Sequence, residues 1–374
     1  MSFEGNKIIV GLSGGVDSAV TAFVLKEQGF DVRAVFMRNW SEAGGGCNWE
    51  WDFESAQAAV RHIGVELDLW DFEAAYHKDV YEPFIAAFEQ GETPNPDVIC
   101  NRYVKFGAFL KRARQEGADW VATGHYARIT PYMTEKGYGL SLRSGVDLAK
   151  DQSYFLALIS QEQLASTLFP LGNLTKKEVR MIAKAAGLPN AGRRDSFGIC
   201  FVGEQDMVEF LRPRVKSAPG PIITQDGKKV ADHDGLPFYT IGQRKGIGIG
   251  GTGPYYVVEK RVADNTLVVT ANPNDPALYS DHAIVPRMHW IHNQISLPSK
   301  GEIKRGCFKP FHCLARHRHL QPLQEAVVEP FKDGGIKVIF DKPQRAVTPG
   351  QFMALYDGDI CLGGGTIKAK DSPP

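Results

Sequence analysis

Residues 7–18 read Lys-Ile-Ile-Val-Gly-Leu-Ser-Gly-Gly-Val-Asp-Ser, an apolar run, a Ser-Gly-Gly turn and the start of an amphipathic stretch that continues to residue 28. The apolar run has the unbroken character of a strand buried on both faces. Gly14 and Gly15 let the backbone approach an anion closely, and the helix behind them offers free N–H groups and a positive dipole end. Ser13 and Ser18 add hydroxyl donors. No Gly-Lys-Ser/Thr follows the glycines, so this is not a Walker loop. Strand, glycine loop and helix in this order specify a phosphate cradle.

The same alternation continues outward from the loop. VRAVFM (32–37), VELDLW (65–70) and WVAT (120–123) read as buried strands, with helical stretches at 18–28, 53–63 and 101–116. This pattern predicts an α/β fold with a parallel sheet covered by helices on both faces. Residues 137–149 read as a hairpin and 161–187 as helical. After residue 218 the period changes to two: PGPIITQDGKKV (219–230) and YYVVEKRVADNTLVV (255–269) are alternating strands turning at Asp-Gly and Asp-Asn. From residue 280, short strands punctuated by Gly and Pro predict a β-barrel. The expected organisation is a catalytic α/β domain at 1–203, a central β-rich domain at 204–279 and a C-terminal β-barrel at 280–374.

Composition narrows the class. With 374 residues, 43 % apolar and 23 % charged, the chain is neither disordered, collagenous nor a disulfide mini-protein. No apolar run approaches the length of a membrane span, and the first residues carry no signal or transit pattern, so a cytoplasmic protein without a membrane partner is expected. Basic and acidic residues balance at 43 each, but not locally. Residues 41–100 hold 13 acidic and 2 basic side chains, and 171–194 hold 6 basic and 1 acidic. Residues 301–320 hold 5 basic, 1 acidic and 3 His. Such segregation fits either an anionic partner on one face or solvated helix faces.

Six cysteines form no CxxC pair. Cys307, His312, Cys313, His317 and His319 cluster in sequence, but their spacing misses the zinc pattern, so no zinc is expected. Two other cysteines stand in shaped loops: Cys100 in TPNPDVICN (93–101) and Cys200 in DSFGICF (195–201). A free thiol of pKa about 8.5 is mostly protonated at neutral pH, so a reactive one needs a helix N-terminus or a cation. Cys100 opens the helical stretch 101–116, and Arg193 and Arg194 precede Cys200. Taken singly, each reads better as a buried, inert cysteine.

Nine segments together carry a resemblance: GLSGGVDS (11–18), FMRNW (36–40), TPNPDVICN (93–101), ATGHYAR (122–128), KDQSYFL (150–156), DSFGICFVGE (195–204), IGQRKGIGIGG (241–251), TPGQ (348–351) and CLGGG (361–365). The first is similar to the pyrophosphate-binding loop of ATP-pyrophosphatases. In this order all nine resemble the bacterial and mitochondrial tRNA 2-thiouridylases over nearly the whole chain. The resemblance implies an ATP site at Gly11, Leu12, Ser13, Gly14, Gly15, Val16, Asp17 and Ser18 with Met37 and Gly124. It implies tRNA contacts at Asn95, Pro96, Asp97, His125, Lys150, Asp151, Gln152, Arg316, His317 and Gln351. Relatives more often carry Arg-Tyr where this chain has Arg316-His317.

The implied reaction is thiolation of the wobble uridine, position 34, of the lysine, glutamate and glutamine tRNAs, with release of AMP and pyrophosphate. Cys200 would carry a persulfide loaded by a sulfur-relay protein and Cys100 would act as nucleophile, leaving a Cys100–Cys200 disulfide. Asp97 is the candidate general base, and ATP with magnesium is expected. Three alternatives remain: an iron–sulfur cluster on Asp97, Cys100 and Cys200, which is disfavoured because the chain lacks a CxxC pair; an ATP-pyrophosphatase amide or amidine synthetase; and an RNA-binding module with a degenerate loop. Gln243-Arg244-Lys245 reads either as a basic phosphate clamp or as an exposed hairpin turn.

Overall fold

The structure, a computed structural model, describes residues 6–41, 49–134, 137–194, 199–203, 205–249, 254–291, 294–297, 301–304 and 309–369. Strands β1 (Lys7–Leu12), β2 (Asp31–Arg38), β3 (Glu66–Asp71) and β4 (Trp120–Ala122) precede a hairpin of β5 (Ala127–Thr134) and β6 (Gly137–Ser144), and β7 (Thr167–Leu168) follows. β1 lies at the centre of a parallel sheet ordered β3-β2-β1-β4-β7. Alternate side chains of a strand point to opposite faces. Ile8 and Val10 accordingly pack with Leu25, Val60 and Val179 of the helices at 16–27, 49–63 and 176–185, whereas Ile9 faces the helical segments at 73–89 and 96–115. From β1 the chain winds first towards β3, then to β4 and β7 on the other side. The sheet therefore has a switch point between β1 and β4, where open α/β sheets bind ligands at the carboxyl ends of their strands.

The central module pairs β8 (Gly220–Thr224), β9 (Lys229–His233), β10 (Tyr256–Arg261) and β11 (Thr266–Thr270) in the order β10-β11-β8-β9. The C-terminal module has β12 (Tyr279–Val285), β13 (His289–Trp290), the pair β14 (Gln294–Leu297) and β15 (Gly301–Lys304), then β16 (Phe311–Arg316), β17 (Gln324–Pro330), β18 (Ile336–Arg345), β19 (Phe352–Asp357) and β20 (Ile360–Thr366). Its main sheet runs β12-β18-β17-β16-β19-β20 around a core that includes Val285, Val328, Val338, Met353 and Leu355. A bridge from Lys368 back to Ile284 of β12, with the Lys368 N–H donating at 2.9 Å, closes the barrel. β6 pairs with β20, so the hairpin at 127–144 belongs to the barrel's sheet although its sequence lies among the α/β elements.

Several local readings need correction. The hairpin spans 127–144 rather than 137–149. The stretch 161–187 is not one helix: Pro170 and Gly172 interrupt it, leaving helices at Gln161–Ala165 and Lys176–Ala185 with edge strand β7 between them. The helix of Cys100 starts at Pro96, because Asn95 caps it and Pro suits the first helical position. Among the described residues no helix is long and apolar enough to cross a membrane.

Candidate active site

The glycine loop sits at the β1/β4 switch point. Gly14 has φ 76°, and a Cβ there would collide with the Asp52 carbonyl, so the turn requires glycine. The Gly14 carbonyl accepts from Ser55 Oγ (2.7 Å), Asn190 Nδ2 (3.0 Å) and Arg193 Nη1 (3.3 Å). The Ser13 N–H donates to Ser18 Oγ (3.1 Å), which donates to the Gly15 carbonyl (3.1 Å). With the loop held in this way, the first N–H groups of the helix at Val16–Glu27 remain for an anion. Gly124, after β4, packs on that first turn: a Cβ there would lie 2.9 Å from the Ser18 nitrogen. A Cβ on Gly11 would lie 3.1 Å from Met37 Cε. Leu12 and Val16 are buried supports. Gly11–Ser18, Met37 and Gly124 are thus brought together at the carboxyl ends of the central strands.

Three residues that the sequence did not single out, Lys176, Tyr126 and Asn190, complete this site together with Arg193, which the sequence had set beside Cys200. Lys176 Nζ lies 2.7 Å from each Asp17 carboxylate oxygen, and Tyr126 Oη donates to Asp17 Oδ1 at 2.8 Å. Asn190 and Arg193 hold the loop carbonyl, and Arg193 also pairs with Asp52. The basic run 171–194 was the available signal. Asp17 and Asp52 each carry a cation, and among the described residues no group of three His, Cys, Asp or Glu side chains forms a metal site.

The second cluster lies on the helical rod 96–115, which is α-helical over Pro96–Cys100, π-helical over Asn101–Phe109 and α-helical over Leu110–Gln115. Asn95 Oδ1 accepts from the Asp97 N–H at 3.2 Å. Cys100 is therefore not at the helix N-terminus but a turn inside. Burial pushes its thiol up to about 12, against the attraction of Lys105. Cys200 is exposed as a residue, yet its thiol hydrogen-bonds the buried Tyr76 hydroxyl; burial of the sulfur raises its pKa, opposed by Lys105 and by that hydrogen bond. Burial also raises the Asp97 carboxyl, opposed by Lys105 and His319. Both thiols are free. Arg193 is not the cation of Cys200, because it is engaged at the loop. Residues 195–198 of the DSFGIC segment lie outside the described residues.

The residues that the resemblance assigns to tRNA line the junction of the α/β part with the barrel, and several are buried there. Asp151 is fully buried and accepts from the Gly145 N–H (3.2 Å), the Ser153 N–H (3.0 Å) and Ser153 Oγ (3.0 Å). Arg316 Nη2 meets Asp151 Oδ2 at 3.2 Å, and its guanidinium lies over the Tyr356 ring. His317 is 1 % exposed, its pKa pushed down to about 4 by burial and Arg318. Gln152 Oε1 accepts from the Tyr126 N–H (3.0 Å), and Gln351 Nε2 donates to the Thr93 carbonyl (2.7 Å). His125 is buried with Nδ1 2.7 Å from Thr123 Oγ1, and its pKa is lowered by burial and Lys105. Pro96 is buried, Asn95 and Lys150 are half-buried, and Arg244 and Lys245 are exposed. Of the His/Cys cluster, Cys313 lies in the barrel core, His319 packs at a tilt against Phe155 and Cys307 is outside the described residues.

A parallel sheet with a non-Walker glycine loop at its switch point defines a nucleotide-binding domain of the HUP class. The chain matches the families described as tRNA methyl transferase HUP domain over residues 6–204, tRNA methyl transferase PRC-barrel domain over 208–271 and Aminomethyltransferase beta-barrel domain over 280–367. It is 44 % identical to the tRNA-specific 2-thiouridylase MnmA of Halalkalibacterium halodurans over 97 % of this chain and 95 % of that protein. The same-named proteins of Methylococcus capsulatus and Staphylococcus aureus JH9 are each 45 % identical, covering 96 % and 98 % of this chain and 95 % and 96 % of theirs. The chain belongs to the tRNA-specific 2-thiouridylase family, a family of tRNA-uridine 2-sulfurtransferases. Among solved structures, the U34-tRNA thiolase NcsA of Methanococcus maripaludis with its [4Fe-4S] cluster aligns over 57 % of this chain and 64 % of that one, at 16 % identity and a TM-score of 0.36.

Proposed function

We propose that this protein thiolates the 2-position of the wobble uridine in the lysine, glutamate and glutamine tRNAs, using ATP and a persulfide and releasing AMP and pyrophosphate. The observation that carries this reading is a phosphate cradle on the same α/β domain as two cysteines that share one lysine. The uracil 2-oxygen is a poor leaving group. Its attack on the α-phosphorus of ATP breaks the bond to pyrophosphate, and N3 gives up its proton to solvent. The amides at Gly14–Ser18 hold the departing pyrophosphate.

Sulfur reaches Cys200 from a relay protein as a persulfide, and the exposed position of Cys200 suits loading by a protein donor. Asp97, its carboxyl raised by burial, takes the Cys100 proton. The Cys100 thiolate attacks the inner persulfide sulfur; the Cys100–Cys200 bond forms as the bond to the outer sulfur breaks, and hydrosulfide leaves. Hydrosulfide attacks C2, AMP departs with the former carbonyl oxygen, and the hydrosulfide proton ends on N3. A cellular dithiol then reduces the disulfide. In this reading residues 1–203 carry the chemistry, while 204–279 and 280–374 hold the tRNA.

The test is incubation with magnesium-ATP, a persulfide donor and unmodified tRNA, followed by nucleoside mass spectrometry. The expected result is 2-thiouridine at position 34 with one AMP per modified base. AMP formation with a small amine acceptor, and unmodified tRNA, would indicate an amide-forming synthetase instead.

A further inference from the structure

Lys105 belongs to none of the assigned sites and takes no part in the steps derived above. It lies five residues after Cys100 on the same rod. In an α-helix such a step ends on a different face, but the π-helical register of Asn101–Phe109 bonds i to i+5 and brings Lys105 back towards the Cys100 side. The side chain is half-buried, and among the described residues no carboxylate pairs with it at ion-pair distance. Its acidic surroundings are Asp97 and Cys100 on its own rod and Cys200 from the loop beyond the α/β sheet. His125 feels it from the loop after β4, and the Tyr76 hydroxyl hydrogen-bonds the Cys200 sulfur. Asp52 acts on Cys200, and His319 acts on Asp97. Among the described residues Lys105 is the one cation that acts on both sulfurs.

We propose that Lys105 is the fixed counter-charge of sulfur transfer, its ammonium holding first the Cys100 thiolate and then the hydrosulfide that leaves Cys200. In the step written above, negative charge starts on the Cys100 sulfur and ends on the outer persulfide sulfur. One cation that acts on both thiols stabilises both ends of the transfer, and as Lys105 keeps its proton it adds none to the balance. Lys105 remains cationic although burial disfavours it, because Cys100, Cys200 and Asp97 all favour its charge. The proposal rests on the thiolation reading only for the identity of the step.

The test compares wild type, Lys105→Met and Lys105→Arg, all checked for the same melting temperature. The first measurement needs neither ATP nor tRNA: iodoacetamide labelling of Cys200 and Cys100 at fixed mildly alkaline pH, followed by peptide mass spectrometry. Each unit of thiol pKa changes the thiolate fraction about tenfold below the pKa. Lys105→Met should label both cysteines about tenfold more slowly, and Lys105→Arg should recover most of the rate. The second measurement loads persulfide on Cys200 and follows hydrosulfide release in a single turnover, which should slow in Lys105→Met and recover in Lys105→Arg. Unchanged labelling in Lys105→Met, or equal loss in both variants, would overturn the proposal. Loss of AMP formation alone, with sulfur release intact, would overturn it by moving Lys105 to the nucleotide site. If wild type forms no 2-thiouridine, the thiolation reading fails, and the labelling rates still decide whether Lys105 governs the thiols.

Discussion

Replacing Arg316 with methionine removes a charge from a place where solvent cannot take it up. Asp151 is fully buried and Arg316 is 6 % exposed, with 3.2 Å between their nearest atoms. Breaking a buried pair by deleting one partner costs about 3–5 kcal/mol, because the other charge is stranded. Asp151 would still accept from Gly145, from the Ser153 amide and from the Ser153 hydroxyl, which sets the expected loss near the low end, about 3 kcal/mol. The pair joins the barrel to the α/β part, so the loss should appear in the first unfolding transition rather than in a single global one. Guanidinium unfolding followed by tryptophan emission measures it. Adding Asp151→Asn to Arg316→Met should recover most of the stability, since the stranded charge is then gone. A loss under about 1 kcal/mol, or additive single and double variants, would refute the argument. A residue serving only as an RNA contact would instead lower tRNA affinity at unchanged stability.

Further outcomes follow from the same geometry. His317 has an ordinary pKa of 6.5 when unfolded and about 4 when folded, so its stabilising contribution is complete above pH 6.5 and is lost as pH falls towards 4. That amounts to about 3 kcal/mol, and melting curves of wild type and His317→Gln across this range should show the acid-side slope reduced in the variant. Gly14→Ala must displace the backbone at Asp52 and force a positive φ on alanine; calorimetric titration should show ATP binding abolished while the barrel still folds. Arg244 and Lys245 are exposed, unlike Arg316. Replacing both with alanine should reduce the salt slope of tRNA binding by about 2, and an unchanged slope would make that loop plain solvated surface.

The sheet was legible because KIIVGL and its three companions are apolar runs separated by helical periods, and the loop because Ser-Gly-Gly stands between such a strand and a helix. The hairpin at 127–144 could be read locally but not placed, since its partner β20 is more than two hundred residues away and pairing carries no local signature. Cys100 was misplaced on its helix because the capping role of Asn95 was not weighed against the boundary that two prolines suggested. Lys105 was invisible for a different reason. A lysine inside a helical pattern reads as solvated surface, and nothing in the sequence announces the π-helical register or the approach of Cys200. Arg316 and Asp151 were found by resemblance, but only the folded chain reveals that they bury each other.

In the proposed reaction sulfur passes through Cys200 and is released by Cys100. The most direct measurement treats Cys100→Ser with a persulfide donor and determines the mass of the peptide containing Ile199-Cys200-Phe201. One added sulfur atom is expected on Cys200, removable by a reducing thiol, with no 2-thiouridine formed when ATP and tRNA follow. Added sulfur on Cys100 in a Cys200→Ser protein that still thiolates tRNA would contradict it.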